Sequence, residues 1–220
     1  MIMAELTAAS EDYLKYIWSA TEWSDEPVKT SRLAKDMGLS PSTVSESVSR
    51  LAKDGLVEHE KYHAIRLTAD GVRHALAMVR AHRLIETFLH DHLGYSWDEI
   101  HTEADSLEHA ASPRFIDAID TLLGHPQYDP HGDPIPDSEG NMPVRRAISL
   151  AEAAHGTATV LRIDDADPQD LRAASALGLR PGQSVMISES TIEVDGRKAD
   201  AAPFEHIVWV TDNRSAVQGR

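Results

Sequence analysis

A chain of 220 residues with 41% hydrophobic residues and a formal net charge of −15 is long enough for one large domain or two to three small ones, each with its own core. It contains no cysteine, which excludes disulfides and thiolate metal sites, so any bound metal must be held by oxygen and imidazole nitrogen. No apolar run approaches the roughly 20 residues needed to cross a bilayer, and MIMAELTAASEDYLK lacks a basic stretch followed by an apolar one, so the reading is a cytoplasmic protein without a membrane partner.

In chain order, residues 7–20 form a short amphipathic pattern in which Tyr13, Leu14, Ile17 and Trp18 recur at helical spacing. Asp12 lies in its first turn, where a carboxylate ordinarily complements the helix dipole and nothing more. Residues 28–39, VKTSRLAKDMGL, give a second helical pattern ending at Gly38, and Ser40-Pro41 opens a third with a capping residue followed by proline. Two helices joined by a tight glycine turn make a helix-turn-helix. In the third helix Val44, Val48 and Leu51 point inward. Ser42, Thr43, Ser45, Glu46, Ser49 and Arg50 face outward beside Ser40, a row of small polar groups suited to phosphates and base edges in a major groove. Gly55 stops this helix, and residues 56–67 alternate as two short strands with Lys61, Tyr62 and His63 at their tip. That is the pattern of a winged helix-turn-helix, a shape also used as a protein-interaction domain without DNA.

Residues 69–93 read as one long helix, with Val72, Leu76 and Val79 inward and Gly94 at its end. It carries His82 and Glu86 one turn apart, a spacing that serves either a surface hydrogen bond or a pair of metal ligands. The next helix holds the densest cluster of ligand-type residues. At 3.6 residues per turn His101, Asp105, Glu108 and His109 share an arc of about 100°. Ser96 and Glu99 are its predicted capping box, and Ile100 and Leu107 its buried side. Charge segregates the same way. Residues 75–140 carry 3 basic against 13 acidic side chains and seven of the twelve histidines, whereas residues 1–74 carry 9 against 12 and residues 141–220 carry 9 against 11. A cation-binding middle segment thus leaves the N-terminal part free to meet a polyanion. Ser112-Pro113 opens a further helix whose stripe of Phe115, Ile116, Ile119 and Leu122 is suited to packing against a second copy of the chain.

From 125 to 143 a Pro-, Gly- and Asp-rich stretch has neither period and is read as ordered loop and linker. Residues 157–163, 184–194 and 206–211 are β-branched and alternating, with LRPGQ and EVDGR as turns, which predicts a small antiparallel barrel. Between its first strands ADPQDLRAASALG is a short helix carrying Asp167 and Asp170. The fold expected is therefore mainly α with a small β part. A winged helix-turn-helix spans residues 1–74 and a helical metal-binding and dimerisation domain residues 75–140. A linker at 141–147 leads to an SH3-like barrel at 148–214, with a frayed tail at 215–220.

The succession of winged helix, AHRLIETFL, HTEADSLEHAAS, HGDPIP and a barrel with GLRPGQSV closely resembles the diphtheria toxin repressor family of metal-activated transcriptional repressors, over essentially the whole chain. The resemblance implies a regulatory site at Asp12, Asp105, Glu108 and His109. It implies an ancillary site at His82, Glu86 and His101, completed by Asp167 and Asp170, and hence two metal ions per chain. Iron-responsive members have methionine and cysteine where Asp12 and Asp105 stand, and manganese-responsive members have carboxylates, so Mn(II) is favoured with Fe(II) the alternative. Shorter manganese-responsive members place a carboxylate where Lys15 stands, and this chain departs from them there. The function implied is a homodimeric repressor of metal-homeostasis genes such as those for manganese uptake, reading a near-palindromic double-stranded DNA operator. Asp12 would belong to the DNA-binding segment and the other regulatory ligands to the middle domain, so a shared ion would act as a staple. A metal-dependent hydrolase remains a reading of another class. It needs a general base and an open coordination position, and no catalytic motif supplies either.

Overall fold

A computed structural model describes residues 6–24, 26–59 and 64–212. Lys61, Tyr62, His63 and the tail at 215–220 lie outside the described residues, as does the tip of the expected wing. The chain forms two compact units, Met1–Ala81 with Pro136–Asn141, and His82–Ile135 with Met142–Arg220. Among the described residues, no helix is long and apolar enough to cross a membrane.

The first unit begins with α1 (Ala8–Glu22), α2 (Thr30–Asp36) and α3 (Pro41–Lys53), followed by the paired strands β1 (Val57–Glu58) and β2 (Arg66–Leu67). Helix α1 is capped by Thr7, whose side chain accepts from Ser10 N, and α3 by Ser40, whose side chain accepts from Thr43 N. Gly38, at φ +64°, makes the turn between α2 and α3 in a conformation that a side chain would resist. Of the inward residues named from the pattern, Leu14, Val44 and Val48 are fully buried and Tyr13, Ile17 and Leu51 nearly so, whereas Trp18 is only half-buried; Leu33 of α2 joins the same core. At roughly 1.5–3 kcal/mol per large apolar side chain, this burial holds three short helices that would not persist alone.

Helix α4 (Ala69–Leu93) ends where expected, before Gly94 at φ +74°. In the second unit its later part buries Leu84, Ile85 and Leu89; Ile100 and Ala104 of α5 (Ile100–Leu107) and Ile116 and Ile119 of α6 (Pro113–Leu122) are buried as well. Leu107, expected on the buried side of α5, is 41% exposed. The helix stops there and tightens into a 3-10 turn over Glu108–Ala110, which turns the apolar role over to Ala104 and buries Glu108 instead. Glu99 does reach Ser96 N at 2.9 Å, but α5 starts only at Ile100, so the expected capping box closes a turn ahead of the helix. Ser112 caps α6 as expected, its side chain accepting from Phe115 N.

The rest of this unit is a six-stranded antiparallel sheet, built from β3 (Ala147–Ser149), β4 (Gly156–Ile163), β5 (Ser184–Ile187), β6 (Thr191–Val194), β7 (Arg197–Asp200) and β8 (Val208–Thr211). Its strand order is β3-β8-β4-β5-β6-β7, and the short helix α7 (Pro168–Leu177) leads from β4 to β5. Val160, Ile163, Leu179, Ile192, Val208 and Val210 are fully buried in its core. The sequence places one strand at 184–194; the structure breaks it into β5 and β6 and adds β3 and β7. In β4 the expected alternation is lost, since Val160 through Ile163 are all buried. The cause lies in the stretch read as loop. His131 O accepts from Ile163 N at 2.9 Å, so the HGDPIP segment covers the outer face of β4.

Candidate metal centre

Helix α4 presents His82 and Glu86 from adjacent turns, both buried although both are polar, and α5 brings His101 and Asp105 against them. Burying such groups is costly unless they satisfy one another. His82 Nε2 lies 3.1 Å from Glu86 Oε1 and 3.2 Å from His101 Nδ1. Its other nitrogen, Nδ1, lies 2.5 Å from Glu108 Oε2 and 3.3 Å from Asp105 Oδ1. His101 Nδ1 is 3.3 Å from Glu86 Oε1 and 2.9 Å from Asp165 Oδ2, a carboxylate just beyond the end of β4.

The electrostatics follow from this packing. Burial pushes the Glu86 carboxyl up, but His82 and His101 more than reverse it and hold it well below the usual range. Asp165 behaves alike: burial raises it, and the hydrogen bond and charge of His101 bring it far down. Burial alone would lower His101, yet Asp165 and Glu86 on either side push it up to about 11. The two carboxylates thus favour the protonated form of His101.

Beside it, Glu86, Asp129 and His131 bring ligand atoms within 4.8 Å of one another, all buried. Burial and then the charge of Asp133 push the Asp129 carboxyl well above its ordinary value. The His131 ring stacks on Trp97 at 5.2 Å, and its Nε2 lies 3.1 Å from Trp97 O. His131 Nδ1 and Glu86 Oε2 are buried without a hydrogen-bond partner. Buried orphan atoms of this kind are rare in native proteins. Two of them, converging with further imidazole nitrogens and carboxylate oxygens, fit a divalent cation that prefers oxygen and nitrogen donors.

The structure therefore brings together His82, Glu86, His101, Asp105 and Glu108 of the residues named from sequence. His82 is not confined to an ancillary set, since its Nδ1 contacts Glu108 and Asp105. His109 is half-buried, with Nε2 3.7 Å from Glu108 Oε1. Asp12 lies on α1, in the first unit. Asp167 and Asp170 are not among the clustered ligands. Asp167 is exposed and caps α7, its Oδ1 accepting from Gln169 N at 2.7 Å, and Asp170 sits in that helix's first turn. The barrel carboxylate at the cluster is Asp165 instead. Asp129, His131 and Asp165 are the candidates that reading the sequence missed.

On α3 Ser40, Ser42, Thr43, Ser45, Glu46, Ser49 and Arg50 are all exposed. Four of their hydroxyls have local partners: Ser40 caps the helix, Ser42 and Thr43 each lie 2.8 Å from Ser40 Oγ, and Ser49 donates to Ser45 O at 2.7 Å.

Comparison with known proteins is consistent with this geometry. Residues 5–65 match the family described as iron dependent repressor, N-terminal DNA binding domain, and residues 68–137 match iron dependent repressor, metal binding and dimerisation domain. The iron-dependent repressor IdeR of Mycobacterium tuberculosis is 37% identical over 134 residues, 61% of this chain and 58% of that relative, so the match spans less than two thirds of its length. The diphtheria toxin repressor of Corynebacterium glutamicum is 28% identical over 224 residues, covering 98% of this chain and 93% of that one. The solved structure of a manganese-dependent transcriptional repressor in complex with manganese superimposes with a TM-score of 0.85 at 44% identity, over 92% of this chain and 99% of the other.

Proposed function

The chain belongs to the iron-dependent repressor family, the metal-dependent DNA-binding transcriptional repressors typified by the diphtheria toxin repressor, and from that membership we infer that it is a Mn(II)-activated repressor acting as a homodimer on a near-palindromic operator. This is a family of repressors and not of enzymes, which removes the hydrolase reading.

The observation that carries the choice of metal is the donor set. His82, Glu86, His101, Asp105, Glu108 and Asp165 offer only imidazole nitrogen and carboxylate oxygen, and the chain has no cysteine to add. Affinity at a given site rises from manganese through iron, cobalt and nickel, so a manganese sensor must discriminate by ligand type and geometry, and an all-oxygen-and-nitrogen set forgoes the sulfur that softer ions prefer. The likeness to a manganese-dependent repressor points the same way, while relatives named as iron-dependent keep Fe(II) as the second reading. Bound there, the cation supplies positive charge and fixes the orientation of its ligands.

Two cations per chain is our reading. One is held by the set around Glu86, and the other by Asp105, Glu108 and His109 together with Asp12, whose place in it rests on the family resemblance. Operator contact falls to the exposed face of α3, with Lys61 and His63 retained from the sequence as wing contacts. Homodimer formation falls to α6, where Phe115 and Leu122 are 51% and 60% exposed. Two such large apolar side chains on one short helix are suited to covering by a second copy. The subcellular setting proposed is the cytoplasm, where operator DNA is found.

The test is a DNA-binding titration of the full chain with Mn(II), Fe(II), Co(II) and Zn(II) in turn. Binding that tightens with Mn(II) and is lost in chelator is expected. Equally tight binding in chelator overturns metal activation.

A further inference from the structure

The cation set is braced by a row of buried ion pairs that the proposed function does not use. Gly132, at φ +93°, lies so close to β4 that a Cβ would stand 2.0 Å from Leu161 O, and this approach brings Asp133 beneath Arg162. Arg162 is 6% exposed. Its Nε donates to Asp133 Oδ1 at 2.6 Å and its Nη2 to Asp164 Oδ1 at 2.8 Å, while its guanidinium stacks over Trp209 at 4.4 Å. Asp133 is shared with α4, Arg83 Nη2 standing 3.5 Å from the same Oδ1. Arg162 thus grips the segment bearing His131 with one edge, and with the other the residue immediately before Asp165.

We propose that Arg162 is the positioning residue for Asp165: by bridging Asp133 and Asp164 from a fixed stack on Trp209, it aims the Asp165 carboxylate at His101 and sets cation affinity without touching the ion. This rests on reading Glu86, His101 and Asp165 as cation ligands. Residues that orient ligands in this way typically govern affinity by about 10–100-fold. Positioning and simple electrostatics differ in sign here. Arg162 is a cation near a cation site, so as a mere charge its removal would tighten metal binding, and its replacement by lysine would leave binding unchanged. As a positioner it loses the bridge in both variants, because lysine is a point charge without a planar fork that spans two carboxylates.

The experiment is Mn(II) titration of the full chain, with free ion read by electron paramagnetic resonance, for wild type, Arg162→Lys, Arg162→Gln, Asp164→Asn and Asp165→Asn, with folding checked by circular dichroism. The affinity of one site is expected to fall about tenfold or more in both Arg162 variants, and less but in the same direction in Asp164→Asn. Asp164 is half-buried, so its variant keeps the test open if burial of the new Arg162 side chains unfolds the barrel. Combining Arg162→Lys with Asp165→Asn should be no weaker than Asp165→Asn alone. Unchanged or tighter binding in the folded Arg162 variants, or an Arg162→Lys effect that persists without the Asp165 carboxylate, overturns the positioning role. Unchanged binding in Asp165→Asn by itself overturns the underlying ligand assignment and the proposal with it.

Discussion

With His101 as a cation ligand, as proposed, metal binding would be a proton-release reaction. Its Nδ1 is 2.9 Å from Asp165 Oδ2 and 3.3 Å from Glu86 Oε1, and these two carboxylates push its pKa up to about 11, so at neutral pH the ring carries a proton that a cation at Nδ1 must displace. While pH stays below that value, each ion bound releases at least one proton, and apparent affinity rises about tenfold per pH unit. Between pH 6 and pH 8 the gain is about 100-fold, or about 2.7 kcal/mol at 1.36 kcal/mol per unit. Calorimetric titration with Mn(II) in two buffers of different ionisation enthalpy gives the proton count directly, and His101→Gln should remove one proton from it. Affinity at this site that is flat with pH, with no buffer dependence of the enthalpy, would refute the protonated His101. The same shift has a consequence for stability without metal. A histidine whose folded pKa lies above its unfolded value contributes stability fully below about 6.5, and that contribution is lost as pH rises toward about 11.

Three further outcomes are expected. Asp165→Asn should weaken Mn(II) binding by about 10–100-fold, while Asp167→Ala should leave metal binding intact and cost about 1 kcal/mol of stability as a lost helix cap, read by metal titration and thermal melting. Reversed effects would return the barrel ligand to Asp167. Gly132→Ala combines a φ of +93° with a Cβ 2.0 Å from Leu161 O, so urea unfolding should show a loss of about 2–4 kcal/mol, and a loss under about 0.5 kcal/mol would mean that the segment is not seated on β4. Asp12→Met combined with Asp105→Cys should move DNA-binding activation from Mn(II) toward Fe(II), Co(II) or Ni(II), and an unchanged metal ranking in a folded double variant would place selectivity elsewhere.

Much of the helical architecture is legible in the sequence because its signals are local. The long α4 ends at Gly94, and α6 begins at Ser112-Pro113, through backbone and capping chemistry confined to a few residues. The ligands on α4 and α5 are legible for the same reason, since helical spacing places them on one face. Asp165 is not, because it sits at no periodic position; only the pairing of β4 with its neighbours and the turn that follows bring it to His101. Asp167 is named through the family resemblance, although Asp-Pro at a helix start already signals a cap. His131 and Asp129 lie in a stretch with no period, and what buries them is the docking of that stretch on β4, a contact between residues about 30 apart in sequence. The signal present was chemical: a histidine and two aspartates among prolines and glycines in HGDPIP and its flank, too polar for a core and too proline-rich for a mobile linker.

The division of candidate ligands into two sets, implied by the family resemblance, gives way at His82. A ligating histidine is usually oriented by donating its second ring N–H to a carboxylate. His82 has that arrangement, with Nε2 turned to Glu86 and His101 and Nδ1 against Glu108 Oε2 at 2.5 Å. The geometry therefore favours the tautomer protonated at Nδ1, leaving Nε2 to serve a cation in the set with Glu86, His101 and Asp165. Glu108 then holds His82 with one oxygen while its other lies 3.7 Å from His109 Nε2. If cations fill both sets, as proposed, the ring fixed by one would constrain the carboxylate of the other, and the two positions would be coupled through a single imidazole and a single buried glutamate. The coupling is reciprocal by thermodynamic necessity: whatever a cation beside Glu86 does to affinity at Glu108, a cation at Glu108 must do in return.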